Sequence, residues 1–209
     1  MDNHDYFKGI AIILISTLVL AFTASYKDNS ILLTAIISFA VILSVNILVK
    51  KVAGYLLEID VKTKFWTWSQ FGFRADHKFK KPIPMVWLPL LLALLTKGVF
   101  LWLAVLEFDV KPRVERATKR HGLYRFTQVT EWHIAWIALW GIVANGVLAV
   151  IGYLAGFELF SKLSIYYAIW SLVPVSNLDG AKILFSSRAL WITTASIAAV
   201  FFFWAQIIV

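Results

Sequence analysis

The chain has 209 residues, of which 60% are hydrophobic and 15% charged, and its formal net charge is +8. That much apolar sequence excludes an ordinary soluble domain. The absence of cysteine excludes disulfides and thiolate metal sites. The basic residues flank apolar runs, which favours the lipid bilayer as a partner and argues against nucleic acid.

Five apolar segments approach the roughly 20 residues that a membrane-crossing helix needs. They predict an all-α, multi-pass integral membrane protein with one domain over 1–209, its spanning helices at 9–25, 31–57, 132–156, 163–185 and 189–209. Between the second and third helices, residues 59–65 alternate apolar and polar, and Trp66 and Trp68 follow. This pattern predicts a short β segment at the membrane interface.

Residues 83–107 are apolar but interrupted by Thr96-Lys97-Gly98, so two arrangements are open. The segment could cross the bilayer as a sixth span, or enter and leave on one face as a re-entrant hairpin. Only the hairpin puts the basic loops 58–82 and 108–130 on the same side. Since cytoplasmic loops are enriched in Lys and Arg, we expect the hairpin, with the N-terminus and basic loops cytoplasmic.

Asp179 lies in an apolar run, with Pro174 before it and Gly180 after it. A carboxylate within the bilayer is costly unless it is paired, bound to metal or in a wet cavity. Pro174 and Gly180 can break the helix there. The ordinary alternative is a helix end at the interface, with Asp179 solvated.

The segment around Asp179 resembles the Leu-Asp-Gly motif of the site-2 protease family, whose aspartate is the third zinc ligand. The matching residues are Pro174, Leu178, Asp179, Gly180 and Lys182, while Ser171 replaces the usual Asn. Upstream, Gly141 and Asn145 match the family's Gly-Pro-x-x-Asn motif, with Ile142 in place of Pro. The similarity covers about 31–185 and implies the fold of an intramembrane zinc metalloprotease.

The family's first zinc motif, His-Glu-x-x-His, is absent from this chain. Alignment of the second helix puts Asn46, Ile47 and Lys50 at the positions of the first His, the Glu and the second His. Glu58 follows where the family usually has Gly. Asn46 is a poor zinc ligand, Ile47 cannot act as a base, and Lys50 puts a cation where a dication would lie.

The resemblance therefore implies degenerate active-site positions at Asn46, Ile47, Lys50, Asn145 and Asp179, with Asp179 the only ligand position retained. No catalytic residue is confirmed and neither metal nor another cofactor is expected. We expect the Lys50 ammonium to occupy the vacated region and pair with Asp179. The ordinary alternative is a lysine that snorkels from a helix end.

The resemblance implies a non-catalytic site-2 protease-like membrane protein. We expect it to bind or regulate another membrane protein by contact with a transmembrane segment of that partner. A second hypothesis is an active intramembrane metalloprotease with atypical ligands, such as Asn46 and Asp179, and bound zinc. A third is a structural subunit or small transporter in which Lys50 and Asp179 line a pathway. The zinc content of purified protein separates the second hypothesis from the other two.

Overall fold

The computed structural model describes residues 3–70, 78–113 and 129–207 of the chain. Its helices are α1 Asn3–Ala24, α2 Leu32–Leu56, α3 Leu88–Leu95, α4 Glu131–Leu154, α5 Glu158–Leu172, α6 Asp179–Ser186 and α7 Arg188–Ile207, and a 3-10 turn at Asn29–Ile31 precedes α2. Its strands are β1 Ile59–Phe65, β2 Thr67–Gln70, β3 Lys78–Pro84 and β4 Leu106–Pro112. Parts of both basic loops, 71–77 and 114–128, lie outside the described residues, as do His77 and His121.

Among the described residues, three helices are long and apolar enough to cross a bilayer, which indicates a membrane protein. They are α2 with its preceding turn, Asn29–Leu56, then Glu131–Leu154 and Arg188–Ile207. In α1, the apolar part Lys8–Ala24 is shorter. Helix α2 lies between α1 and α4 and also contacts α5 and β1, so the protein is assembled around it.

The predicted helix over 163–185 is wrong as a single element, because the structure has two helices there. Helix α5 ends at Leu172 and α6 begins at Asp179, with a non-helical connection over 173–178. Pro174 accounts for the break, since proline disfavours the helical conformation of the residue before it. Val173 accordingly has extended backbone angles, φ −60° and ψ 127°.

The described residues are mainly helical, as expected, but they form two small antiparallel sheets where one short β segment was predicted. The predicted strand at 59–65 is confirmed as β1, which pairs with β4 so that Ile59 is opposite Pro112 and Phe65 is opposite Leu106. Strands β2 and β3 form a separate hairpin. The sequence analysis predicted neither that hairpin nor β4.

Trp66 holds together the two ends of the segment 83–107, for which the sequence left two membrane arrangements open. Its backbone N–H donates to the carbonyl of Val105 at 2.8 Å, and its carbonyl accepts from the N–H of Met85 at 2.9 Å. Residues 85 and 105 therefore lie side by side, and α3 between them has only 8 residues. This geometry excludes one continuous spanning helix over 83–107.

The segment between Met85 and Val105 is a hairpin that reaches the opposite end of α2 from β1. Its tip is at Gly98, where an added Cβ would lie 2.8 Å from the Tyr26 ring and 3.1 Å from Lys27. Tyr26 and Lys27 belong to the connection between α1 and α2. The hairpin thus extends from Trp66 to the α1–α2 connection and returns.

Candidate functional site

The break between α5 and α6 places Asp179 at the first residue of a buried helix end. A carboxylate is favoured there because the N-terminus of a helix carries a partial positive charge. The next residue is Gly180, whose added Cβ would overlap the Leu172 carbonyl. Only glycine lets α6 start so close to the end of α5, and the indole N–H of Trp191 donates to that same carbonyl at 3.1 Å.

Lys50 and Asp179 form a buried ion pair between α2 and α6. The distance from Lys50 Nζ to Asp179 Oδ2 is 2.5 Å, and the two side chains are only 7% and 2% exposed. Lys50 lies six residues before the end of α2, about 9 Å along the helix axis. The predicted pairing is confirmed, and the interpretation of Lys50 as a snorkelling lysine is wrong.

Gly141 on α4 makes room for the Lys50 side chain. An added Cβ at Gly141 would overlap Lys50 Cε and would lie 3.1 Å from Asn46 Nδ2. The Asn46 amide donates to the Gly141 carbonyl at 3.0 Å. The buried polar residues of α2 are therefore held against the backbone of α4, at the glycine that the sequence analysis matched to a family motif.

The other predicted site residues, Ile47 and Asn145, differ in their surroundings. Ile47 is buried in an apolar cluster with Leu43 and contributes no polar group. Asn145 is fully buried, and its backbone carbonyl accepts from the Ser164 hydroxyl at 2.8 Å. Among the described residues, its side-chain amide finds no hydrogen-bond partner, and neither does Asp179 Oδ1. Each such buried group costs on the order of 1–3 kcal/mol.

A second lysine, Lys182, lies beside the ion pair, and the sequence analysis did not predict the residues that surround it. The Lys182 ammonium donates to the Phe108 carbonyl and lies 3.5 Å from the centroid of the Phe108 ring, while Lys50 Nζ is 5.2 Å from that centroid. The Phe108 ring lies close to both ammonium groups, and the face of an aromatic ring attracts a cation. The alternation of apolar and polar residues in Leu106–Pro112 was the available signal for this strand.

Glu107, on the same strand, connects β4 to the start of β2. Its carboxylate accepts from the Thr67 N–H at 3.4 Å and from the Thr67 hydroxyl at 3.2 Å. Burial raises the pKa of the Glu107 carboxyl above its usual value, partly offset by these hydrogen bonds and by Lys182. Thr67 also accepts from Ser176 at 3.2 Å through its carbonyl. These contacts hold β2 next to the helix break.

A pocket of about 230 Å³, with polar and apolar walls, opens beside the helix break. It is lined by Glu131, Ile134, Ser176, Asn177, Ala181, Lys182 and Phe185. Ser176 has a φ of 51°, a left-handed conformation that non-glycine residues rarely adopt. Strained backbone of this kind is concentrated at functional sites, so the pocket is a candidate surface for a ligand or a partner.

The residues at the pair do not fit a zinc ion. The one retained ligand position, Asp179, contacts an ammonium group through Oδ2. The Asn46 amide already donates to a backbone carbonyl, and amides are weak zinc ligands beside imidazole. In the described part of the chain, no three His, Cys, Asp or Glu side chains are grouped so that they could hold a metal.

Comparison of the chain with family models, with curated proteins and with solved structures gives no match. The resemblance to site-2 proteases therefore depends on the motif residues and on their contacts. Of these contacts, the Lys50–Asp179 pair is the most specific, because it joins two elements 129 positions apart in sequence.

We expect Lys50→Met and Asp179→Asn each to lower the free energy of unfolding in detergent by about 3–5 kcal/mol. Either change leaves one charge buried without its partner. The double variant should recover much of this loss, since an uncharged buried pair avoids the cost of removing two ions from water. Equilibrium unfolding of the four proteins in mixed micelles measures the coupling.

The exposed pair Lys64 and Asp109 provides a matched control, because its side chains are 54% and 49% exposed. Lys64→Met and Asp109→Asn should each change the stability by less than about 1 kcal/mol. Single variants at Lys50 or Asp179 that behave like this control would contradict a stabilising role for the buried pair.

Proposed function

We propose that this protein is a non-catalytic relative of the site-2 protease-type intramembrane metalloproteases, and that it binds or regulates another membrane protein. The observation that carries the proposal is the Lys50 ammonium, 2.5 Å from the Asp179 carboxylate. In the family, that aspartate and two histidines hold zinc. A lysine at the second histidine position makes its own ion pair with the aspartate and opposes a dication by charge repulsion.

Two further features support the alignment on which this proposal depends. Glu58 stands where the family usually has Gly, and its φ is 58°, in the region that glycine adopts most easily. Gly141 matches a family glycine, and here it gives the space that Lys50 needs. The backbone angle of Glu58 explains why a glycine would be usual at that position.

The binding role is supported by the pocket beside the helix break. Asn177 is exposed, and Phe185 at the pocket wall is 77% exposed. Lys182 lines the pocket. The contacts described above for its ammonium are with the Phe108 carbonyl and the Phe108 ring. A transmembrane or juxtamembrane segment of a partner could therefore reach the former catalytic position from this side.

In the membrane arrangement that we propose, five segments cross the bilayer, the fourth being α5 and α6 together. The hairpin between Met85 and Val105 is re-entrant, because both its ends lie at Trp66. Its tip would lie near the connection between α1 and α2, which contains Lys27 and would face the other side of the membrane. The N-terminus, β1 and β4 would be cytoplasmic, as the distribution of basic residues favours.

The zinc motif can be restored to test the alignment. We expect the wild type to contain far less than one zinc per chain, and the triple variant Asn46→His, Ile47→Glu, Lys50→His to retain about one after mild chelation. The reason is that the two new histidines would face Asp179 on a scaffold of the right geometry. Metal analysis of gel-filtered protein is the measurement.

Asp179→Asn in the triple background is the control and should abolish the bound zinc, because it removes the third ligand. Stoichiometric zinc in the wild type that survives chelation would overturn the non-catalytic proposal. A folded triple variant without zinc would overturn the alignment of α2 to the zinc motif.

Photo-crosslinking tests the binding role. A benzophenone amino acid introduced at Asn177 should crosslink a second membrane protein in the native membrane, since this residue lines the pocket. The same probe at Tyr26, which is 45% exposed at the other end of α2, should not capture that protein. Mass spectrometry identifies the product. The same product at both positions, or none at Asn177, contradicts binding at the pocket.

Because the chain lacks cysteine, single-cysteine labelling tests the membrane arrangement without background. Lys62→Cys and Lys111→Cys should react with an impermeant maleimide from one face, and Lys27→Cys from the other. All three side chains are exposed. Labelling of Lys62→Cys and Lys111→Cys from opposite faces would show that the intervening segment crosses the bilayer.

A further inference from the structure

An apolar groove lies between α4, α5 and α7. Its volume is about 380 Å³. Small residues from the three helices, Gly146, Ala168 and Ala198, line it together with larger ones that include Ile169 and Phe201. Cavities of this size between the helices of a bundle commonly hold ligands.

The groove offers nothing to a polar ligand. Thr194 is the one lining residue with a polar side chain, and its hydroxyl donates to the Leu190 carbonyl at 2.8 Å in its own helix. Water enters a cavity only where it can hydrogen-bond to two or more polar groups, and apolar cavities stay dry. The occupant that suits these walls is therefore a hydrocarbon.

Gly146, which lines the groove, leaves open space on the surface of α4. An added Cβ at this position would meet no atom within 4 Å. A glycine within a helix costs roughly 0.5–1 kcal/mol relative to alanine. Nothing in the described part of the chain uses the space that this glycine leaves. In membrane helices, small residues permit close approach by a neighbour.

The groove is continuous with the bilayer-facing surface of the spanning helices α4 and α7. Val147 and Ile197 line it and are 52% and 60% exposed. A groove of about 380 Å³ could enclose only a small part of a helix roughly 10 Å across. We propose that this groove holds one acyl chain of a bilayer phospholipid.

A photoreactive lipid tests the proposal directly. The full chain is placed in nanodiscs of phosphatidylcholine that carries a diazirine near the end of one acyl chain. After illumination, mass spectrometry should locate adducts at Ala168, which lines the groove although it is only 6% exposed. Val200 on α7, which is 68% exposed, reports ordinary contact with the bilayer.

Gly146→Leu should fill the groove and reduce the Ala168 adduct to the level of an unilluminated sample, while the Val200 adduct persists. Gly9→Leu is the matched control, because an added Cβ there also meets no atom within 4 Å and Gly9 lies on α1. It should leave both adducts unchanged. Ala198→Phe fills the groove from the opposite wall, in case Gly146→Leu fails to fold.

Three results would overturn the proposal. The first is a wild type with the Val200 adduct and none at Ala168. The second is an Ala168 adduct that persists in folded Gly146→Leu and Ala198→Phe proteins. The third is capture of a protein segment rather than lipid at Ala168, which would assign the groove to a partner.

Discussion

Two opposite charges buried in apolar surroundings constrain the rest of this structure. Lys50 and Asp179 are each tolerable there only while the other is within hydrogen-bond distance. The pair requires α6 to begin where it does and α2 to turn one particular face toward α4. Gly141 and Gly180 follow from this requirement, since a larger residue at either position would displace a member of the pair or its helix.

The sequence supported those predictions that depend on strong local signals. Strict alternation predicted the strand β1, and the resemblance to the site-2 protease motifs predicted the pairing of Lys50 with Asp179. Strand β4 also alternates, but its first residues, Leu106 and Glu107, are the end of a long apolar run that obscured the pattern. The motif resemblance singled out Asp179. The contacts of Phe108 with Lys50 and Lys182, by contrast, depend on the pairing of β4 with the distant strand β1.

The buried polar cluster around Lys50 and Asp179 includes polar groups that have no hydrogen-bond partner among the described residues. Within the described residues, the side-chain amide of Asn145 and one oxygen of Asp179 lack hydrogen-bond partners. Lys182 adds a second cation beside a single aspartate. Buried polar networks rigidify a protein when every member is paired and are costly when they are not. The cluster thus combines a buried ion pair with a second lysine and with polar groups that have no hydrogen-bond partner among the described residues.

Trp66 has a consequence for how the hairpin between Met85 and Val105 can move. Its two backbone hydrogen bonds hold both ends of that hairpin at one fully buried residue. The two legs therefore cannot separate at their base without breaking a buried main-chain hydrogen bond, and any displacement of the hairpin must carry both legs together.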